Sequence, residues 1–288
     1  MAKPLTRLEM PGLANLRVIV TGAGQGIGLG LAQHFAAVGA RLVVADINAE
    51  AAEKAAEALR ADGAQAVAVA ANVASPHDCE AMVAAAVQAY GGVDVMVCNA
   101  GIVQVKPFME LTVDDWGPML DINVKGTFLS IQAAARQMLL QPPLADGRPR
   151  GKIINMASIA GRYGGGPMAP FLAPYRASKA AVISLTQSAA STLSPHITVN
   201  AVCPGLVATD MWKRMDRDLA RIENGQEGEA FARHDPQHTW RHQAQGVEFG
   251  ADAQGKQSGH HHKEKHRRQH LALTTQGQQQ VTMQHRHE

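Results

Sequence analysis

Tyr175 and Lys179 are the residues whose types and spacing most directly suggest chemistry. They lie four residues apart in "APYRASKAA" (residues 173–181), and a helix would place both side chains on one face. Two interpretations compete. Either the pair is half-exposed on a surface helix without a chemical role, or the ammonium lowers the pKa of the phenol so that it can exchange a proton near neutral pH. The rest of the sequence has to decide between them.

A second candidate site is the glycine-rich segment "TGAGQGIG" (residues 21–28), which follows the apolar run "LRVIVT" and precedes an apolar stretch with helical spacing. Gly22 would form the tight turn, Gly26 would let the backbone approach a phosphate, and Gly28 would let the helix pack on the strand. The free N–H groups at the start of that helix would bind a pyrophosphate. The segment therefore predicts a dinucleotide site.

Asp46 ends the second apolar run, "RLVVAD", 18 residues after Gly28. A carboxylate at this place accepts hydrogen bonds from ribose hydroxyls and repels a 2′-phosphate, so NAD(H) is favoured over NADP(H). Arg41 lies at the start of the run and is poorly placed to bind such a phosphate. The alternative interpretation is a glycine turn with a solvated aspartate.

Six motifs in order resemble the short-chain dehydrogenase/reductase family, and they span about 190 residues. They are Thr21 to Gly28, Asn99-Ala100-Gly101, the "NVKG" that begins at Asn123, Ser158, the Tyr175–Lys179 pair, and Pro204-Gly205 followed by Thr209. The resemblance favours the chemical interpretation of the opening pair.

The resemblance implies four catalytic residues. Tyr175 would donate or accept the proton, and Lys179 would lower its pKa and bind the nicotinamide ribose. Ser158 would position the substrate oxygen, and Asn123 would hold a water in a proton relay. For Asn123 the alternative stays open that it only caps or braces a neighbour.

The resemblance also implies a set of NAD-binding residues. Asn72 stands where the family has an acid near adenine, and its amide could make a similar contact or could only end the strand. The full set is Gly22, Gln25, Gly26, Ile27, Gly28, Asp46, Asn72, Val73, Asn99, Ala100, Gly101, Tyr175, Lys179, Pro204, Gly205, Val207 and Thr209.

The segment between Ser158 and Tyr175 departs from the family by being several residues longer. It is rich in Gly and Pro, which predicts a loop. Such a loop would either shape the substrate pocket or be a harmless surface insertion. Tyr163 lies in it, but no lysine follows four residues later, so it is not a candidate base.

These residues need elements to position them, and the sequence supplies alternating strands and helices. Six strand candidates precede residue 203, and they are apolar on both faces, which predicts a parallel sheet covered by helices on each side. The prediction is a doubly wound α/β domain, a Rossmann fold. The final strand that the family resemblance would imply is not predicted, because the sequence after about residue 232 lacks a suitable apolar run.

The composition and charge of the chain limit the classes of protein to which it can belong. The chain has 288 residues, is 46% hydrophobic and carries a net charge of +2, so no whole-chain case for nucleic acid arises. Cys79, Cys98 and Cys203 form no metal or redox spacing and indicate reduced thiols in a cytoplasmic protein. Neither a signal peptide nor a membrane span is predicted, and no metal site is expected.

The chain divides into a catalytic domain, residues 1–232, and an atypical tail, residues 233–288. Ten of the thirteen histidines lie in 234–288. Four interpretations of the tail are open: disorder, metal binding through His260, His261 and His262, binding of nucleic acid or anionic surfaces through "KEKHRRQH", or a changed reading frame. The abrupt change in composition favours the last, with disorder as its physical result.

The sequence as a whole predicts an oxidoreductase that transfers a hydride between NAD(H) and a small polyol, diol or hydroxy-ketone. The alternatives are a 3-oxoacyl thioester reductase, which Asp46 disfavours, and a catalytically inactive binding protein. The resemblance also implies a homo-oligomer, a dimer or tetramer, that pairs through the helices that hold Asn123 and Tyr175.

Overall fold

The computed structural model of the chain describes residue 10 and residues 12–144, 147–163 and 168–228. These residues belong to one structural unit, Met1–Arg241. The predicted domain boundary after residue 232, the tail and any final strand within it lie outside the described residues.

Six parallel strands form one sheet in the order β3-β2-β1-β4-β5-β6. The strands are β1 (Arg17–Thr21), β2 (Arg41–Asp46), β3 (Gln65–Ala70), β4 (Val95–Cys98), β5 (Gly151–Met156) and β6 (Ile197–Val202). The strand order reverses between β1 and β4, and doubly wound sheets bind ligands at the carboxyl ends of the strands beside such a reversal. The predicted fold class is confirmed.

Helices connect the strands and cover both faces of the sheet. Among the described residues they are α1 (Gly26–Ala37), α2 (Ala49–Ala61), α3 (Pro76–Tyr90), α4 (Trp116–Leu120), α5 (Gly126–Leu140), α6 (Ile159–Arg162), α7 (Ala173–Leu193) and α8 (Asp210–Ile222). A π-helical turn, Asp121–Lys125, joins α4 to α5. No helix in this part of the chain combines the length and apolar character needed to cross a membrane.

The core follows from the alternation of side chains along the buried strands. In β1, Val18 and Val20 pack with α1 and α2 on one face, whereas Ile19 packs with α3 and α5 on the other. Both faces of the sheet are therefore covered by apolar side chains, which is why the strand sequences are continuous apolar runs. A third apolar cluster, beneath α8, lies next to Tyr175.

The segment between Ser158 and Tyr175 is not the continuous loop that its composition predicts. Residues 159–162 form α6, and Ala169–Phe171 form a 3₁₀ turn before α7 begins. The physical reason for α6 is local capping, because the Ser158 hydroxyl accepts a hydrogen bond from the amide of Ala160 at 3.1 Å.

Candidate active site

The glycine-rich turn joins β1 to α1 in the conformation that the sequence predicts. Gly22 and Gly26 have φ angles of 62° and 58°, which side chains adopt only with strain. Gln25 precedes α1 in an extended conformation, and its side chain makes no capping hydrogen bond. The amide groups of the first turn of α1, which includes Ile27, are therefore oriented to receive an anion.

Close packing explains Gly28 and gives Asn99 a positioning function. A Cβ atom on Gly28 would lie 2.2 Å from the carbonyl oxygen of Gly22 and 2.5 Å from Asn99 Nδ2. Asn99 Nδ2 donates to the carbonyl oxygens of Thr21 and Gly22 at 2.9 and 3.1 Å. Thr21 Oγ1 accepts from the amides of Asn99 and Ala100 at 3.0 Å each. This link between β1 and β4 holds the turn in place.

The carboxylate of Asp46 lies beside the same turn and is 8% exposed. Its Oδ2 accepts from the amide of Gly24 at 2.9 Å, and its Oδ1 accepts from the amide of Asn48 at 3.0 Å. Each oxygen retains a lone pair for a further donor such as a ribose hydroxyl. Arg41 begins the six-residue strand that Asp46 ends, so the two side chains lie at opposite ends of β2.

Asn72 and Val73 follow β3 and have local contacts. Asn72 is exposed, and its Oδ1 accepts from the amide of Ala74 at 3.0 Å. Val73 is buried against the start of α5, where a Cβ atom on Gly126 would lie 2.6 Å from Val73 Cγ2. The glycine of "NVKG" is therefore required by close packing.

Ser158 and Tyr175 come together at the carboxyl end of β5. Ser158 caps α6, Tyr175 lies in the first turn of α7, and the Ser158 hydroxyl is close enough to the phenol to affect its pKa. Burial raises the pKa of Tyr175, and the Ser158 hydroxyl opposes that shift. The arrangement brings a neutral phenol and a second hydroxyl to one point, as a proton donor for an oxygen atom requires.

Lys179 is buried one turn further along α7. Its Nζ donates to the carbonyl oxygen of Met156 at 2.7 Å and lies 5.9 Å from the centroid of the Tyr175 ring. Burial lowers the pKa of Lys179 to about 8. Lowering of the Tyr175 pKa by Lys179 stays a prediction, because here burial raises the pKa of the phenol and the ammonium donates to a backbone carbonyl.

Asn123 lies in the π-helical turn and its side chain is fully buried. Its Oδ1 accepts from the amide of Ile102 at 2.8 Å, and its Nδ2 donates to the carbonyl oxygen of Ile102 and to Ser178 Oγ at 3.0 and 2.9 Å. The side chain thus braces the segment after β4 against α7. This bracing is the alternative that the sequence left open.

Ser178 is a residue of this network that the sequence reasoning missed. It is fully buried, and its hydroxyl donates to the carbonyl oxygen of Tyr175 at 2.7 Å. Its position beside Lys179 in "YRASK" was the available signal. Gly101 completes the junction, because a Cβ atom there would lie 3.0 Å from Asn123 Oδ1 and 3.3 Å from Lys179 Nζ.

The segment after β6 reaches both halves of the site. The carbonyl oxygen of Pro204 accepts from the amide of Ile159 at 3.0 Å. Thr209 caps α8 by accepting from the amide of Trp212 at 3.4 Å, and a Cβ atom on Gly26 would lie 3.8 Å from Thr209 Cγ2. Gly205 and Val207 lie exposed between these two anchors.

Tyr163 lies apart from the other site residues. Its side chain is 62% exposed, and its carbonyl oxygen accepts a hydrogen bond from Arg176. The structure therefore agrees with the sequence-based exclusion of this tyrosine as the base.

The sequence of the chain is similar to a known protein family and to several curated proteins. The family model described as short chain dehydrogenase matches residues 17–220, which include all six strands. Among curated proteins, a diacetyl reductase [(S)-acetoin forming] from Staphylococcus epidermidis is 39% identical over 215 residues, which are 74% of this chain and 80% of the relative. A galactitol 2-dehydrogenase from Agrobacterium fabrum is 41% identical over 221 residues, which are 76% of this chain and 81% of the relative.

Among solved structures, an NAD⁺-bound xylitol dehydrogenase aligns with a TM-score of 0.64 and 34% identity. The alignment covers 76% of this chain and 78% of the other. Similarity in sequence and in backbone therefore extends over the same part of the chain that holds the site.

Proposed function

The chain belongs to the short-chain dehydrogenase family, and from this premise we propose that it transfers a hydride between NAD(H) and a small secondary alcohol or ketone. One observation carries the proposal. The Ser158–Tyr175 hydroxyl pair and buried Lys179 lie at the carboxyl ends of the strands, at the same edge of the sheet as the glycine-rich turn and Asp46.

The residues present fit a dinucleotide. Gly22, Gly26 and Gly28 leave no side chain between the backbone and a pyrophosphate, and the uncapped first turn of α1 offers amide groups to it. Asp46 would accept hydrogen bonds from the adenosine ribose. When bound, the nicotinamide would supply or accept the hydride.

Proton transfer is the task of the protein side chains. In reduction the carbonyl carbon gains a hydride and its oxygen takes the phenolic proton of Tyr175, while Ser158 donates a hydrogen bond to that oxygen. In oxidation the same groups act in reverse. Lys179 would bind the nicotinamide ribose and, once released from Met156, would stabilise the phenolate.

The specificity for NAD(H) over NADP(H) rests on the charge of Asp46. We expect the full-length chain to oxidise NADH at least about tenfold more efficiently than NADPH. Asp46→Ser should narrow this ratio by raising the activity with NADPH. An unchanged ratio in the variant would show that Asp46 does not set the cofactor preference.

The activity is tested with the purified chain, NADH and a panel of diketones, hydroxy-ketones and ketoses. The wild type should turn over at least one of them, and Tyr175→Phe should bind NADH with similar affinity but lose at least about 100-fold in kcat. Turnover retained by Tyr175→Phe would contradict the assignment of the proton donor.

The active form is proposed to be a homo-oligomer. Apolar side chains are exposed on α5, the helix that follows Asn123, with Phe128 and Leu139 each 42% exposed and Leu140 82% exposed. A surface of this kind marks an interface in many proteins. Light scattering should give a mass of a dimer or tetramer, and Phe128→Glu should reduce it.

A further inference from the structure

A cavity of about 410 Å³ lies at the amino ends of the strands, at the opposite edge of the sheet from the candidate active site. β1 and β2 begin beside it with Arg17 and Arg41, and Asp94, which directly precedes β4, also lines it. The length of these strands, at about 3.3 Å per residue, separates the cavity from the glycine-rich turn by roughly 15–20 Å. A ligand in this cavity would therefore occupy a different site from a dinucleotide.

Arg17 and Asp94 neutralise each other in this cavity. The amide and Nε of Arg17 donate to Asp94 Oδ2 at 2.8 Å each, and Nη2 of Arg17 donates to Asp94 Oδ1. Nη1 of Arg17 donates to the carbonyl oxygen of Gly91 at 2.9 Å. Because this bidentate pair engages both carboxylate oxygens and the edge of the guanidinium, it adds little net charge to the cavity.

The charge of Arg41, by contrast, is not compensated by the described residues. None of their carboxylates lies within 4 Å of its guanidinium. Within the same part of the chain, Nη2 of Arg41 donates to Asn15 Oδ1 at the long distance of 3.4 Å, and the buried Nε has no hydrogen-bond partner. A guanidinium has five N–H donors, so Arg41 retains donors and a full positive charge for a ligand.

Tyr90 and several apolar side chains form the remaining walls of the cavity. The Tyr90 hydroxyl donates to the carbonyl oxygen of Leu42 at 3.1 Å. Burial raises the pKa of Tyr90 and the charge of Arg41 opposes that shift, so the two side chains interact. The apolar lining residues are Leu16, Pro142, Pro143 and Leu144. Walls of this kind lower the local dielectric constant and strengthen the attraction of Arg41 for a negative charge.

We propose that this cavity is a second ligand site, which binds a small anion, a phosphate or a carboxylate, through Arg41. The guanidinium would supply paired donors and the positive charge that such an anion requires. The volume of the cavity is within the usual range for small-molecule sites. The proposal is independent of the hydride-transfer function, because none of the residues that line the cavity belongs to the candidate active site.

Calorimetry with the full-length chain tests the site. Sodium phosphate and sodium succinate are titrated separately into protein that is saturated with NADH, so that the glycine-rich turn is occupied, and sodium chloride at equal ionic strength is the reference. We expect at least one of the two anions to bind, and the stronger binder distinguishes a phosphate from a carboxylate ligand. Heats equal to those of chloride for both anions overturn the proposal.

A matched pair of arginine variants locates the anion. Arg41→Met keeps an unbranched apolar side chain and removes the charge, so it should weaken binding of the anion at least about tenfold. Arg136→Met makes the same change at a side chain that is 63% exposed and should leave the affinity unaltered. An affinity that Arg41→Met does not change would show that the anion binds elsewhere on the chain and would overturn the proposal.

An isosteric pair of variants keeps the test valid if Arg41→Met does not fold. Asn15→Asp places a carboxylate oxygen where Oδ1 already lies 3.4 Å from Arg41 Nη2, so the charge is compensated from within the chain. Asn224→Asp makes the same exchange at another exposed asparagine with a positive φ, 52° compared with 63°. We expect Asn15→Asp to weaken anion binding at least about tenfold and Asn224→Asp to match the wild type. Equal affinities of these two variants overturn the assignment to Arg41.

Discussion

At the scale of single residues, Tyr175 and Lys179 share α7, and Lys179 is bound to a carbonyl group of a distant strand. The spacing of Tyr175 and Lys179 predicted one shared helix face, and both lie in α7 with the ammonium 5.9 Å from the phenol ring centroid. The sequence could not show that the Met156 carbonyl binds Lys179 or that burial raises the pKa of Tyr175. Burial and backbone acceptors come from distant parts of the chain.

The glycines at the start of α1 offer a prediction with an internal control. Gly28→Ala would place a Cβ atom 2.2 Å from the carbonyl oxygen of Gly22, and neither backbone can yield without moving the turn. In Gly30→Ala the added Cβ atom would have no other atom within 4 Å. We expect Gly28→Ala to weaken NADH binding at least about tenfold, measured by calorimetry, and Gly30→Ala to match the wild type. Similar affinities for both variants would show that the close contact is not required.

The lowered pKa of Lys179 predicts that the stability of the protein depends on pH. Its pKa is about 8 in the folded protein, below the ordinary lysine value of 10.5 that applies to the unfolded chain, so between these values the unfolded chain binds more protons. The contribution of this group to stability therefore rises from about pH 8 to about 10.5, by up to about 3 kcal/mol. Urea unfolding at pH 7.5 and 10 should show this gain in the wild type but not in Lys179→Met. If the free energy of unfolding changes equally with pH in the wild type and in Lys179→Met, the lowered pKa of Lys179 is contradicted.

At the scale of elements, regular segments could be predicted from the sequence and irregular ones could not. The strand β2 coincides with the apolar run "RLVVAD", and Tyr175 and Lys179 lie in one helix, α7, as their spacing predicts. The π-helical turn around Asn123 has no such pattern. Its side-chain bonds to Ile102 and Ser178 depend on the packing of α5 against α7, which no local pattern shows.

The contact between α6 and α7 predicts a defect in catalysis that spares cofactor binding. A Cβ atom on Gly161 would lie 2.5 Å from the backbone of Lys179 and of Ala180. Gly161→Ala should therefore push α6, and with it Ser158, away from Tyr175. We expect kcat to fall at least about 100-fold with the NADH dissociation constant nearly unchanged.

The control for this variant is Gly117→Ala in α4, where a Cβ atom meets nothing within 4 Å. It should keep wild-type kcat in the same ketone reduction assay. A Gly161→Ala protein with normal kcat would show that the two helices can separate without consequence.

At the scale of the whole molecule, buried polar contacts link distant segments of the sheet. Asp94 is 4% exposed and accepts hydrogen bonds from the amide and the guanidinium of Arg17, which lies 77 residues away. By contrast, Glu80 and Arg136 lie 3.6 Å apart with both side chains more than 60% exposed. The two pairs should differ in their effect on stability.

We expect Asp94→Asn to lower the free energy of unfolding by about 2–4 kcal/mol, because it leaves a partly buried guanidinium without its counter-charge. Glu80→Gln should change it by less than about 0.5 kcal/mol. Urea titrations followed by circular dichroism measure both. If Asp94→Asn and Glu80→Gln unfold at the same urea concentration, the Arg17–Asp94 pair does not contribute to stability.

The hydrogen bonds from Asn99 to the glycine-rich turn also have a consequence for biosynthesis. The turn ends at Gly28, but its anchor to Asn99 spans 78 residues, and the hydroxyl pair needs the chain as far as Tyr175. In a nascent chain on the ribosome, the turn therefore has only its bonds to β2, from Gly24 to Asp46 and from Ala23 to Ala45, until β4 has emerged. The proposed nucleotide site is therefore completed late in translation, and a product truncated before residue 99 would lack the hydrogen bonds that link β4 to the glycine-rich turn.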